Sequence, residues 1–187
     1  MKTIIFSLLV ALSTNLFAQT KDSTRNYYLN IEISLIHPLL GGFGATVGLE
    51  KKHFSLGLMA YRIELNHMLK HYLMEGAEEL TVFNWGVELY SDYYLKKSHK
   101  GLFFGTLLSF NGYRFNDIPV PQTILALYVA PRIGYRIYLP KKLKKFYFQP
   151  AVSLQIMVWD NADKFLYQEI DLNSGFLLSQ LTLGMKI

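Results

Sequence analysis

The sequence contains no cysteine, which excludes a disulfide framework and a lipid anchor attached through a thiol. Charged residues are scarce, at 18% of the 187 residues, whereas hydrophobic residues make up 51%. Beyond residue 18, no stretch approaches the roughly 18 consecutive apolar residues of a transmembrane helix. Motifs of the GxSxG, phosphate-loop and HExxH types are also absent, so we predict no catalytic residue, no metal site and no cofactor.

The first eighteen residues have the features of a secretory signal peptide. A basic Lys2 precedes an apolar stretch from Ile4 to Leu12, and the small residue Ala18 stands at a position suited to cleavage. We therefore expect residues 1–18 to direct Sec export and residues 19–187 to form a single exported domain.

The apolar residues of the remaining chain recur with a period of two. In the segment 124–138, one alternate set is apolar, and the other mixes small, aromatic and basic side chains. Such alternation predicts a long β-strand with two unlike faces. A change in the parity of the apolar set around Met59 to Tyr61 predicts a β-bulge in the third strand. The predicted strands are 27–36, 42–50, 54–64, 81–95, 102–114, 123–138, 146–159 and 175–187.

The connections between these strands alternate in length and charge. Short turns after strands two, four and six carry nine of the eighteen Lys and Arg residues of the mature chain (nineteen less Lys2). Longer loops after strands three, five and seven contain eight of the fourteen carboxylates. An even number of strands with turns at one end and loops at the other predicts an all-β fold, an eight-stranded antiparallel up-and-down barrel polarised along its axis.

The contents of the two faces distinguish a transmembrane β-barrel from a soluble one. The less apolar set is rich in small residues and carries few charges, and aromatic residues lie near strand ends, as at Phe83 and Tyr93. Most strands also exceed the ~9–11 residues that cross the hydrocarbon core. These features favour a barrel in the bacterial outer membrane, with its apolar set facing lipid. The alternative is a soluble exported barrel that binds a small hydrophobic ligand.

Charged side chains in the middle of strands are then expected to point into the barrel, because an Arg on the lipid face at the bilayer midplane costs about 2–4 kcal/mol. An eight-stranded barrel has room in its lumen only for side chains. We therefore prefer a structural charge network to a proton or ion path. The expected members are Glu32, Glu88, Asp92, Arg132 and Arg136, joined by Glu50 and Lys186.

The densest basic segment, Lys141 to Lys145 (KKLKK), lies in the third turn. Nucleic-acid binding is not predicted, because the basic residues fall in separate turns without a recognition motif. Near a membrane surface, a lysine stem rests on apolar side chains while its ammonium reaches phosphate head groups. We interpret the turns as polar anchors that contact outer-membrane lipids.

Two groups of loop residues are candidates for chemistry. If residues 67–79 are helical, His67, His71 and Glu75 lie four apart and could share one face as metal ligands. The apolar residues between them indicate an interfacial helix equally well. Ser34 and His37, at the end of the first strand, are a candidate pair for a lipid-modifying enzyme.

The predicted signal peptide, eight alternating segments, short turns, longer loops and terminal amphipathic strand resemble the small OmpA/OmpX-like outer-membrane barrels. The resemblance covers nearly the whole mature chain and rests on pattern. It implies recognition by the barrel assembly machinery and a structural or surface-interaction role, with the loops displayed toward an extracellular partner. The alternative is an enzyme that modifies lipid at the rim of the barrel.

Overall fold

A computed structural model of the protein describes residues 27–119, 121–164 and 170–187. The expected signal peptide, residues 1–18, lies outside these ranges. The described residues form ten strands and two α-helices, α1 (Ile36–Leu39) and α2 (His67–Leu73). The strands are β1 (Tyr28–Ser34), β2 (Phe43–Lys51), β3 (Phe54–Leu65), β4 (Met74–Glu75), β5 (Val82–Tyr94), β6 (Gly101–Phe115), β7 (Gln122–Tyr138), β8 (Phe146–Asp160), β9 (Asp171–Leu172) and β10 (Gly175–Lys186).

Eight of these strands close into an antiparallel barrel in the order β1-β10-β8-β7-β6-β5-β3-β2. The barrel closes where β1 pairs with β10, from Asn30↔Lys186 to Ser34↔Thr182. β4 and β9 form a separate two-stranded sheet. The predicted eight-stranded up-and-down barrel is therefore confirmed, and each predicted strand boundary lies within two residues of the observed one. No helix in the described ranges is both long and apolar enough to cross a membrane.

Successive side chains of each strand alternate between the lumen and the outer surface. In β5, burial alternates without a break from Val82 to Tyr90, and the outward Val87 and Leu89 are exposed. In β8, Val152 is 43% exposed on the outer surface, whereas Ser153 beside it is buried. The apolar set thus faces outward along most of the barrel, because the strand period of two separates it from the polar set.

The predicted bulge around Met59 to Tyr61 is wrong. β3 pairs without interruption with both β2 and β5. The apolar set changes parity for another reason: the inward side chains of the second half of β3, such as Ile63, belong to an apolar cluster inside the barrel. The outward positions there are occupied by Arg62 and Glu64.

The irregularity in the barrel lies instead between β7 and β8. Their register shifts between Leu127 and Tyr128, which pair with Trp159 and Met157 respectively. The shift leaves one extra residue in β8. Strict alternation predicts that Trp159 faces inward, but because of the shift it lies on the outer surface.

The lumen is divided into two halves. We call the end with the three short connections 52–53, 95–100 and 139–145 the turn end, and the opposite end the loop end. The loop-end half is filled by an apolar cluster that includes Leu65, Tyr113 and Phe176. The turn-end half is filled by polar and charged side chains together with aromatic rings.

The loop between β3 and β5 forms a cap that is fixed to the barrel. The side chain of Asn66 accepts a hydrogen bond from the Leu69 backbone N–H (2.9 Å) and so begins α2. Lys70, although basic, is buried and donates to the carbonyl oxygen of Leu80 (2.8 Å). The hydroxyl of Tyr72 donates to the Leu177 carbonyl oxygen (2.9 Å) and so ties α2 to β10.

Replacing Gly57 with Val is expected to destabilise the barrel by about 1–3 kcal/mol, because overpacking a filled interior forces its neighbours to move. The ring of Tyr90 lies against the inward face of Gly57 and occupies the space of a Cβ. Gly175→Val is the matched control, since a Cβ there meets only the Gln155 carbonyl oxygen, at 3.5 Å. Urea titration followed by tryptophan fluorescence measures both free energies of unfolding, and equal losses would contradict the prediction.

Candidate functional site

Arg136 of β7 is fully buried in the turn-end half of the lumen. Its guanidinium donates to the carboxylates of Glu50 and Glu32, the latter from Nη2 to Oε1 over 3.3 Å, and its Nε donates to Gln149 Oε1 over 2.6 Å. The rings of Tyr94 and Tyr147 lie 4.7 and 4.0 Å from the guanidinium carbon. Carboxylates, an amide and two aromatic faces thus replace the water that this cation loses.

Glu50 is the acceptor shared by most of this network. Besides Arg136, it accepts a hydrogen bond from the Asn30 amide (2.8 Å) and lies 3.5 Å from His99 Nδ1 and 3.4 Å from Lys186 Nζ. Groups from both ends of the described chain therefore meet at one carboxylate. This arrangement depends on closure of the barrel, because β2 reaches β10 only through β1.

His99 lies in the turn between β5 and β6 and is almost completely buried. Its Nε2 lies 3.1 Å from the carbonyl oxygen of Phe54. Burial lowers the pKa of His99, and the nearby Glu50 carboxylate offsets that effect in part. The imidazole is therefore predominantly neutral at pH 7, and Arg136 and Lys186 supply the positive charge around Glu50.

A second ion pair lies farther from the turn end. Arg132 Nε is 3.3 Å from Asp92 Oδ1, and the Arg132 guanidinium lies over the rings of Tyr90 (4.9 Å) and Phe103 (5.3 Å). The pair joins β5 to β7 across β6, because Asp92 and Arg132 both lie opposite Gly105 of β6. A side chain at that glycine would collide with the Asp92 carboxylate.

Gly184 has the same role in the closing strand. It lies between Glu32 of β1 and Tyr147 of β8 in one row of paired residues. The Tyr147 ring crosses over Gly184, and its hydroxyl donates to Glu32 Oε1 (2.8 Å). Inward glycines therefore let long side chains make contact across an intervening strand.

Glu88 differs from the other luminal carboxylates in having no cation within ion-pair distance among the described residues. It accepts hydrogen bonds from Ser109 (3.2 Å) and Gln180 (3.4 Å). Among the described residues, four buried luminal carboxylates therefore share the lumen with three cations. The carboxylates are Glu32, Glu50, Glu88 and Asp92, and the cations are Arg132, Arg136 and Lys186.

The five residues expected in the lumen thus lie there as three separate units. Arg136 contacts Glu32, Arg132 contacts Asp92, and Glu88 is held by neutral donors. Sequence reasoning missed the uncharged partners Tyr147, Gln149 and Asn30, as well as His99. The inward glycines were the available signal, since each marks a space that a neighbouring side chain fills.

A cavity of about 100 Å³ lies between the charged half and the apolar half of the lumen. Its polar lining includes Glu88 and Arg132, and its apolar lining includes Ile63 and Phe176. The volume is below the ~150 Å³ of an engineered cavity that binds benzene. The space therefore suits a few waters or a very small molecule.

Ser34 and His37 meet at the edge of this cavity. His37 Nδ1 lies 2.5 Å from Ser34 Oγ, and the His37 backbone N–H donates to the same oxygen (3.3 Å). The imidazole packs on the ring of Tyr61, with 4.9 Å between centroids. Burial lowers the pKa of His37, so its neutral ring can accept the hydroxyl proton at pH 7.

His67, His71 and Glu75 do not form a metal site together. The helix ends at Leu73, and Glu75 belongs to β4, beyond the turn that would align it with the histidines. Within the described ranges, no group of three His, Cys, Asp or Glu residues is placed to hold a metal ion.

Solved structures of other proteins share this architecture. The chain matches the crystal structure of Neisserial surface protein A (NspA) with a TM-score of 0.55 and 8% identity, over 89% of this chain and 99% of that one. The chain has the fold of the small eight-stranded outer-membrane barrels. A second match is the N-terminal β-barrel domain of Pseudomonas aeruginosa OprF, with a TM-score of 0.50 and 10% identity over 88% of this chain and all of that domain. No protein-family model and no curated protein sequence matches the chain.

Replacing Arg136 with Met is expected to cost about 3–5 kcal/mol of stability, because breaking a buried ion pair leaves an uncompensated charge. Glu50 and Glu32 would both lose their arginine partner. Adding Glu50→Gln to this variant removes one unpaired buried charge and is expected to restore part of the lost stability. Lys142→Met, at an exposed turn position, is the control. Urea unfolding of the four proteins measures the effect, and a loss no larger than that of the control would contradict it.

Proposed function

We propose that this protein is a small bacterial outer-membrane β-barrel with a structural or surface-interaction role. The observation that carries the proposal is the contrast between the two strand faces. Fully buried Arg136 and Glu50 lie inside the barrel, whereas apolar side chains such as Val152, Leu154 and Ile156 are exposed outside it. Exposing this apolar surface to water is unfavourable, whereas the hydrocarbon core of a membrane accommodates it.

The filled lumen supports a structural role over transport. Large side chains that lie inside the barrel, including Tyr94, Phe103 and Tyr128, have no exposed surface. The five predicted luminal charges and their neutral partners act, in this proposal, as an internal structural network that joins distant strands.

The two ends of the barrel suit different surroundings. Export through the Sec pathway and insertion by the barrel assembly machinery would leave the basic turns in the periplasm, where the lysines contact lipid head groups. The acidic loops and the cap formed by α2, β4 and β9 would face outward, where a partner could bind. Fractionation of cells and a heat-dependent shift in gel mobility test the location.

Val152→Arg tests directly whether lipid surrounds the barrel. In a bilayer, an outward arginine at mid-strand is expected to cost about 2–4 kcal/mol, whereas one near the interface costs about 0–1 kcal/mol. Leu177→Arg, outward and close to the loop-end limit of β10, is therefore the matched control. Urea titration in lipid vesicles measures both free energies of unfolding. A soluble barrel would tolerate both substitutions equally, and that result would contradict the proposal.

A lipid-modifying enzyme is the second candidate, favoured by the short contact between Ser34 and His37. A serine whose hydroxyl donates to a neutral histidine is the arrangement of an activated nucleophile. The same contact also fixes the turn into α1, so it has a structural explanation as well. This explanation makes the structural role the preferred proposal.

If the enzyme candidate holds, a fluorophosphonate probe is expected to label Ser34, and purified protein to release fatty acid from phospholipid or lipid A. His37→Gln would remove both signals, because the serine would lose its base. Ser153→Ala, which alters a buried luminal serine away from His37, is the control and would retain them. An unlabelled native protein without acyl release would exclude this candidate.

A further inference from the structure

Charge is almost absent from the outer surface of the eight barrel strands. Outward positions carry a charged side chain at four described residues. Lys51 lies at the turn end, beside Tyr27. The other three lie at the loop end on the two strands that flank β5: Arg62 and Glu64 on β3, and Arg114 on β6. We call this group, with Phe83 and Trp85 between its members, the rim patch.

The strand register fixes how the rim patch is arranged. Glu64, Phe83 and Arg114 form one row across β3, β5 and β6. Arg62 lies in the next row, opposite Trp85, and its guanidinium sits 5.0 Å from the Phe83 ring. Two arginines therefore flank one aromatic side chain on the outer surface.

Both arginines are exposed, and neither forms an ion pair with a described residue. Because both side chains face outward, they take no part in the luminal network. The row of Arg114 lies one pair from the loop-end limits of β5 and β6. In a membrane barrel, that level is the head-group region, where an arginine costs little.

Arg62 and Arg114 lie on the two strands that flank β5, with Phe83 between them. Two arginines placed in this way can bind one phosphate, because each guanidinium offers a fork of N–H donors to the phosphate oxygens. Below them on the same face lie Trp85, Val87 and Leu89, which suit acyl chains. A soluble anion would use the cations but not this apolar surface. A lipid would use both.

We propose that the rim patch binds the phosphate-bearing head group of a membrane lipid at the loop end of the barrel. Arg62 and Arg114 hold the phosphate, Phe83 and Trp85 contact the head group and the upper acyl chain, and Glu64 limits the affinity by repulsion. The inference rests on the proposed membrane location and adds a specific lipid site to it.

Native mass spectrometry of the folded protein in detergent micelles tests the site, with phosphatidic acid as the probe and diacylglycerol, the same lipid without its phosphate, as the neutral comparison. The double variant Arg62→Gln/Arg114→Gln is expected to bind phosphatidic acid about thirtyfold more weakly, since each basic residue near a membrane surface contributes about 1 kcal/mol. Glu64→Gln is expected to bind it more tightly. Diacylglycerol binding should be unchanged in all variants.

The matched control is Lys142→Gln/Lys144→Gln, which removes the same net charge from the exposed third turn. An equal loss in this control would show that net charge alone attracts the lipid, and would overturn the proposal. Inorganic phosphate that binds as tightly as phosphatidic acid would also overturn it, because the apolar surface would then contribute nothing. If Val152→Arg destabilises the barrel more than its control does but both lipids bind equally, only the lipid site is disproved. If Val152→Arg and its control have equal effects, the membrane location itself is disproved.

Discussion

Burial of the Arg136 guanidinium is the constraint on which the turn-end half of the molecule depends. Removing an ion from water costs several kcal/mol even after relaxation. The cost is offset here because Glu32, Glu50 and Gln149, from β1, β2 and β8, reach the same guanidinium. Of these three strands, only β8 is next to β7. The carboxylates of β1 and β2 therefore reach Arg136 only when the barrel closes. Closure and charge neutralisation are therefore one event.

The two ends of the lumen differ in the side chains that fill them. The turn end is filled with charges, rings and amides, many of which contact residues of distant strands. The loop end has an apolar interior, the cap fixed by Asn66 and Lys70, the cavity, the Ser34–His37 contact and the rim patch. Features that could contact other molecules thus lie where the chain forms its longer connections, supported by a rigid barrel.

Strands were predictable from the sequence because their signal is local. An alternating pattern over a dozen residues specifies a strand and its two faces whatever its neighbours are. The same reasoning failed at Met59 to Tyr61, where the inward face itself becomes apolar, and at Trp159, where a register shift reverses the alternation. In the first place the outcome depends on an apolar cluster to which other strands contribute, and in the second on how β8 pairs with β7.

The sequence by itself determined the number of strands, their limits, the up-and-down order and the inward direction of the mid-strand charges. Only the tertiary structure decided which charges meet. Asp92 reaches Arg132 across Gly105, Tyr147 reaches Glu32 across Gly184, and Glu88 has no cationic partner among the described residues. The physical reason is that side-chain direction follows from the backbone period of a single strand. Contact across a barrel depends on the register of several strands and on the space that their glycines leave.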